Sequence, residues 1–286
     1  MCYETLDAGC CASLGGGGQV SVDRGAEEAV ERIDPAETLA LELALHVSRY
    51  RFVAPLVAGR CVLDAGCGVG YGSAEFTSEP PARYLAVDRS VAAIRVARRQ
   101  YAAPGRRFMV GDVTALPFDD RQFDVVLSFE VVEHLDQVDR YLAELRRVLR
   151  PGGTCVVSTP NRRWFSDGLP APRNPYHVRE YYPAEFARLL GVHFPDVTLM
   201  GQHNGARARV VREADDTYGR FLDRMGLRRF RHLVPARVRI GVHSLVVNAL
   251  SRASGVRPAR IEASDYTFTT DDVEDARVLL GICRVP

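Results

Sequence analysis

The chain has 286 residues, a formal net charge of +1, 47% hydrophobic residues and 26% charged residues. That length can bury a large core as one enlarged domain or one domain with a lid, and the balanced charge argues against nucleic acid as the main partner, which would select a basic excess. All 37 basic residues are Arg, which excludes a lysine Schiff base or a catalytic lysine. The seven cysteines are odd in number, irregularly spaced and without a CxxC pair. They read as the reduced thiols of a cytoplasmic protein, with neither a disulfide framework nor a cysteine zinc site. The opening residues lack the basic and apolar regions of a signal peptide, and no apolar run reaches membrane-spanning length.

In chain order, residues 1–25 contain "CCASLGGGGQ" and read as a flexible tail. Residues 26–58 form a helical cap, with Leu39, Leu43, Val47 and Tyr50 on one face. From residue 60 strands and helices alternate. Strands are expected at 60–66, 83–88, 106–112, 123–129 and 154–160, with helices at 70–78, 90–101 and 136–149. This order predicts a doubly wound, mostly parallel sheet with right-handed crossovers. A helix at 183–190, a strand at 196–201 and a final strand at 276–285 follow. Residues 204–262 form an insertion with 13 Arg against 5 acidic residues, in which "LVPARVRIGVHSLVVNALSRAS" is helical and amphipathic. It serves as a lid or substrate-shaping element, or as a solvated decoration or oligomer contact.

The stretch "VLDAGCGVGYG" (62–72) carries the clearest chemistry. A strand ends in Asp64, and Gly66, Gly68 and Gly70 open a tight turn into a helix. Glycine is needed where backbone turns sharply and approaches a ligand, and the helix start behind it favours negative charge. Asp88 ends the next strand, where a carboxylate can accept hydrogen bonds from a ribose diol. Dinucleotide enzymes share such a turn, but the spacing is not GxGxxG. The form Asp-Ala-Gly-Cys-Gly-Val-Gly resembles motif I of class I methyltransferases that use S-adenosylmethionine. "GDVTALPF" (111–118), "FDVVLSFEVVEHL" and "LRRVLRPGGTCVVSTPN" resemble that family's later motifs.

The resemblance covers about residues 36–201. It implies a Rossmann-like class I methyltransferase fold. That fold has a seven-stranded, mostly parallel sheet in the order 3-2-1-4-5-7-6 with strand 7 antiparallel, a helical N-terminal extension, and a helical insertion before the last strand. The methyltransferase domain would be 59–203 plus 263–286. The resemblance further implies S-adenosylmethionine held by Asp64, Gly66, Gly68, Asp88, Asp112, Val113 and Ser128. Tyr71 would cover the cofactor or simply pack at the helix start. Arg49 and Tyr50 would reach the cofactor carboxylate or be ordinary surface and core residues.

After the fourth expected strand comes "EVVEHL" (130–135). In a helical turn starting there, Glu130, Glu133 and His134 share one face. Two carboxylates and an imidazole suit a divalent cation such as Mg²⁺, Mn²⁺, Fe²⁺ or Zn²⁺. The long polar loop 158–186 adds His177 at the same edge. The arrangement resembles the small-RNA 3′-terminal 2′-O-methyltransferases and the ubiquinone-biosynthesis O-methyltransferases. It implies Glu130, Glu133, His134 and His177 as metal ligands, with a histidine as proton acceptor. In the competing reading no metal binds, His134 or His177 serves the substrate directly, and Glu133 caps a helix or orients the imidazole. His46, His193, His203, His232 and His243 lack such a context and are expected to be structural or exposed.

"RYRFVAPLVAGRCVLDAGCGVGYGS", "STPNR" and "NPYHVREY" resemble bacterial methyltransferases found beside glycosyltransferase genes. This implies O-methylation of a hydroxyl on a sugar-like or vicinal-diol metabolite, as in natural-product biosynthesis. Leu45-His46 departs from the Glu-His that related chains carry there, and the Arg-rich insertion suits an anionic acceptor. Alternatives are an N-methyltransferase on an amino sugar, an RNA ribose 2′-O-methyltransferase, and a non-enzymatic cofactor-binding partner subunit. The expected partners are a small hydroxylated acceptor and a second copy through the insertion, with no membrane.

Overall fold

Strand β1 (Cys61–Ala65) is buried along its whole length, Asp64 included. A continuous apolar strand of this kind belongs in the middle of a parallel sheet covered on both faces. The computed structural model places it there and describes residues 33, 35, 40–213, 236–253 and 261–286. The tail 1–25, most of the cap before residue 40, and residues 214–235 and 254–260 of the insertion lie outside the described residues.

The sheet runs β3 (Arg106–Val110), β2 (Arg83–Asp88), β1, β4 (Phe123–Phe129), β5 (Leu149–Pro160), β8 (Val278–Arg284), β6 (Asp196–Asn204), β7 (Tyr266–Thr269). The first five are mutually parallel. Strand β8 lies antiparallel between β5 and β6. This is the expected α/β order of the class I methyltransferase fold, with eight strands instead of seven. The additional one is β7, where chain returning from the insertion pairs with the end of β6, from Gly201↔Thr269 to Asn204↔Tyr266. The insertion therefore opens after β6 and closes before an edge strand. Within it, 206–213 and Ala236–Ala253 are helical. No described helix is long and apolar enough to cross a membrane.

Alternation along the strands builds two cores. Leu63, Val87, Val126 and Val157 face one side, where α3 (Val138–Val148) packs Tyr141, Leu142, Leu145 and Val148, and α5 (Pro183–His193) packs Phe186 and Leu190. Those helix positions recur at the spacing of one apolar stripe. Val62, Tyr84, Ala86, Leu127 and Val156 face the other side, against α1 (Ala40–Val57) and α2 (Val91–Tyr101). Buried Cys67, Cys155 and Cys283 sit in this interior, and no disulfide forms among the described residues.

Two local expectations change. The helix expected at 70–78 is a 3₁₀ turn, Tyr71–Glu75, capped by Gly70 at φ 82. Gly70 and Gly72 weaken helix there, and both are needed small. A side chain at Gly70 would meet Phe108 and Ala97, and one at Gly72 would overlap the Tyr50 ring. Nor does a helical turn begin at Glu130. That residue has φ 57, and only Val132–His134 form a 3₁₀ turn. Glu130 therefore does not share a helix face with Glu133 and His134.

Helix α1 is fixed across the sheet by polar contacts. Arg49, fully buried, donates to Gln202 of β6 at 2.9 Å. Gln202 in turn donates to the Leu45 carbonyl and to Ser48. Phe52 stacks on Phe268 of β7 with centroids 4.2 Å apart. Replacing Gly72 with Ala is expected to destabilise the protein by about 1–3 kcal/mol, the usual cost of an added methyl in a packed site, because the Tyr50 ring beneath it is fixed. A urea midpoint lowered by that amount at unchanged slope is the expected reading, and an unchanged midpoint contradicts the packing described.

Candidate active site

The carboxyl ends of β1, β2 and β4 and the loop after β5 form one edge of the sheet. In open α/β sheets ligands bind at such an edge. Gly66, Gly68 and Gly70 all have positive φ, at 91, 55 and 82, a region disfavoured for residues with a Cβ. They differ in what lies above them. A side chain at Gly66 would strike Val131 of the 130–134 turn, whereas one at Gly68 would meet nothing within 4 Å. Gly66 is small for the protein's own packing, and Gly68 leaves open space for a ligand.

Asp88 organises that turn. One carboxylate oxygen accepts from Gly68 N and the other from Ser90 N, both at 2.8 Å. Asp88 is half-buried, and each oxygen keeps a second lone pair for a ribose hydroxyl. Asp112 is exposed and accepts from the amide and hydroxyl of Thr114, each at 2.8 Å, so it opens the turn that carries Val113. Ser128, another of the expected cofactor contacts, faces inward. Its side chain is fully buried, donates to the Ala65 carbonyl at 2.6 Å and accepts from Tyr141. The hydroxyl points into the core and ties β4 to β1.

Asp64 is buried under the turn. Its Oδ2 accepts from Tyr84 at 2.5 Å and from Tyr50 at 3.1 Å, while Oδ1 has no partner. Burial pushes its pKa up to about 6, against the two tyrosine hydrogen bonds, which pull it down; the nearby charge of Asp88 adds to the rise. Tyr50 thus serves Asp64 from α1, and Tyr71, half-buried, packs edge-on to Tyr50 at 5.8 Å. Arg49 lies within the interior. Its Nη1 reaches Gln202 and lies 3.8 Å from Glu130, and its Nη2 lies 2.7 Å from His46 Nδ1. Burial and the adjacent Arg49 hold His46 well below the usual histidine range. A neutral ring then accepts from the guanidinium, which makes His46 structural, as expected.

The four expected metal ligands separate into three and one. Glu133, His134 and His177 each offer a ligand atom, and the three atoms lie within 4.8 Å of one another. Glu133 is fully buried; Oε2 accepts from Thr159 at 3.2 Å, and Oε1 has no partner. Burial, with Glu130 nearby, raises its pKa well above the usual carboxylate range. An unpartnered buried carboxylate oxygen is costly and calls for a specific explanation, of which a bound ligand is one. His134 Nδ1 lies 2.9 Å from the Tyr176 carbonyl, which can only accept, so Nε2 is the nitrogen carrying the lone pair. The two imidazoles meet edge-on with centroids 4.9 Å apart. Glu130 is drawn elsewhere, because its Oε1 accepts from Ser158 at 2.8 Å and its amide also donates to Ser158. The left-handed backbone at Glu130 turns it away from the cluster.

The loop after β5 is held to this turn by backbone. The Glu133 carbonyl accepts from Val178 N at 2.7 Å and Arg179 N at 3.2 Å. Three further residues were not singled out from the sequence: Thr159 on Glu133, Asn174 on His177 Nε2 and Glu180 on His177 Nδ1. Two of them stand inside "NPYHVREY", but a carboxylate three residues after a histidine is too common a spacing to signal a pair.

Comparison with known proteins agrees with this fold. Residues 63–157 match a family model described as a methyltransferase domain. A probable S-adenosylmethionine-dependent methyltransferase of Mycolicibacterium smegmatis is 42% identical over 145 residues, covering 51% of this chain and 55% of that protein. A phthiotriol/phenolphthiotriol dimycocerosates methyltransferase of Mycobacterium tuberculosis is 39% identical over 128 residues, covering 42% of this chain and 47% of that protein. The chain thus spans about half the length of these relatives. Among solved structures, an S-adenosylmethionine-dependent methyltransferase from Archaeoglobus fulgidus superposes with a TM-score of 0.52 at 17% identity, covering 85% of this chain and 94% of that one. The fold is shared, and residues 63–157 are similar to a methyltransferase domain.

Asp64 gives the site a pH signature. Its folded pKa of about 6 lies above the unfolded value of about 3.9. Between those values the folded protein holds a proton that the unfolded chain has released, so this group's contribution to stability falls as pH rises through the window. Asp64→Asn is therefore expected to be more stable than wild type at pH 8, by up to about 3 kcal/mol for a two-unit shift, and to lose that advantage by pH 4. Denaturant unfolding across that range, without ligand, checks it; a difference independent of pH contradicts it.

Proposed function

We propose that this chain is an S-adenosylmethionine-dependent O-methyltransferase acting on a hydroxyl of a small sugar-like or vicinal-diol acceptor, assisted by a divalent cation at Glu133, His134 and His177. The observation that carries this reading is the convergence of those three side chains at the edge where Gly68 leaves open space. Their donor set, one carboxylate and two imidazoles, fits Mn²⁺, Fe²⁺ or Zn²⁺, and Mg²⁺ less well. The unpartnered Oε1 of Glu133 supports the fit. One group of relatives is named for a triol, which supports a hydroxyl as the acceptor.

Bound S-adenosylmethionine supplies a methyl group made electrophilic by its sulfonium, and a bound cation polarises a coordinated hydroxyl. The chain does the rest by placement. Asp88, held by Gly68 N and Ser90 N, is set to receive the ribose hydroxyls. The turns at Gly68 and Asp112–Val113 line the same edge. A cation held by Glu133, His134 and His177 would leave room for oxygens of the acceptor, which would favour a diol over an isolated hydroxyl. His134, its Nδ1 engaged by the Tyr176 carbonyl, offers Nε2 as ligand or as proton acceptor. Glu130, fixed by Ser158 and close to Arg49, shapes the cofactor side of the cleft.

Methyl transfer to a panel of sugars, diols and catechols tests this reading. Dialysis against EDTA should abolish transfer, and Mn²⁺ or Mg²⁺ should restore it. Undiminished turnover by demonstrably metal-free protein would remove the cation from the proposal. His134→Ala should lower kcat/KM by about 100-fold or more, the usual scale for losing a positioned acid–base group, with S-adenosylhomocysteine affinity within a few-fold of wild type.

A further inference from the structure

His177 stands in a polar chain whose direction can be read from its ends. Tyr176 N donates to Asn174 Oδ1 at 3.1 Å, which fixes the Asn174 amide with its Nδ2 on the other side. That Nδ2, which can only donate, lies 2.9 Å from His177 Nε2. Nε2 must therefore accept, so the ring proton is on Nδ1. Nδ1 lies 2.8 Å from Glu180 Oε1, a carboxylate oxygen that accepts it. The two bonds to the His177 ring agree on this tautomer, and reversing it would break both.

Glu180 is an unusual group to find there. It is 1% exposed, and its second oxygen has no partner. A carboxylate is seldom buried without a pairing that uses it, and Glu180 is bonded to His177. It also sits one residue beyond the backbone pins from the Glu133 carbonyl to Val178 N and Arg179 N. The same turn that carries Glu133 and His134 thus locates Glu180 under His177.

We propose that Glu180 is the positioning residue of the cleft. It holds His177 as the Nδ1–H tautomer and so keeps the Nε2 lone pair available to a ligand, in a ring that lies beside Glu133 and His134. This rests on the reading of His177 as a ligand or proton acceptor given above. Carboxylates behind a ligating imidazole do this in metal sites generally, fixing the ring and raising its basicity. Asn174 is the placeholder on Nε2, donating to the lone pair until a ligand displaces it. The two histidines are thereby oriented by different means to the same end: His134 by a backbone carbonyl, His177 by a buried carboxylate.

Long-range ¹H–¹⁵N spectra of the histidine rings test this without substrate, metal or turnover. At a pH where the ring is neutral, wild-type His177 should show a protonated Nδ1 and an unprotonated Nε2. With Asn174→Ala removing the donor at Nε2, adding Glu180→Gln, whose amide can donate as well as accept, should shift population to the Nε2–H form. A wild-type spectrum with the proton on Nε2 overturns the proposal, as does an unchanged tautomer in the double variant. Titration with Mn²⁺ gives the second reading. Affinity should fall by about 10- to 100-fold in Glu180→Gln, while S-adenosylhomocysteine affinity stays put. Unchanged Mn²⁺ affinity in the variant, against a wild type that binds the ion, also overturns it. A wild type that binds no Mn²⁺ counts against the cation alone, and the spectra then decide the role of Glu180.

Discussion

The cleft depends on a side chain that is absent. At Gly66 the first turn of the sheet edge comes so close to Val131 that even a methyl group would collide. That approach sets the turn after β4 directly against the turn after β1. Glu133 and His134 sit on the first, and the Gly68 opening and Asp88 belong to the second. A larger residue at Gly66 would part the two turns and separate the three-residue cluster from the space beside it. The φ of 91 at Gly66 adds a second reason for glycine there.

Around that contact the protein buries an unusual amount of ionisable chemistry. Asp64, Glu133, Glu180 and Arg49 are all at most 1% exposed. Each is only partly satisfied, with one side-chain polar atom lacking a partner. Groups of this kind destabilise a fold unless something binds them or they orient something that binds. Their placement is consistent with that second role. Asp64 lies under the glycine turn between two tyrosines, Glu133 faces the imidazoles, and Glu180 stands behind one of them. Arg49 joins α1 to β6 and approaches Glu130, so the N-terminal helix is tied to the sheet and to the turn after β4 and is not an appendage.

The histidine cluster shows how two distant segments become one site. Residues 130–134 and 174–180 are held together by the Glu133 carbonyl, which accepts from Val178 N and Arg179 N, and by the His134 ring at the Tyr176 carbonyl. The first two bonds are backbone to backbone and do not depend on which side chains are present, so that part of the loop register survives substitutions that alter its chemistry. Such a scaffold can keep its geometry while the residues around the acceptor vary, which suits a fold used for many acceptors.

The sequence by itself determined the order of strands and helices, the glycine turn, Asp64, Asp88 and the pairing of "EVVEHL" with a later histidine. These signals are local: apolar periodicity, obligatory glycines and strand-end carboxylates are set by backbone sterics and by burial along a few residues. Tertiary structure decided the rest. It moved Glu130 off the cluster, because a left-handed residue and Ser158 turn it aside. It sent Ser128 into the core, because β4 places that hydroxyl against the Ala65 carbonyl. It added β7, because the chain returning from the insertion pairs with the end of β6. And it paired His177 with Glu180, since a hydrogen bond between buried side chains depends on a fold angle and a loop path that residue spacing does not encode.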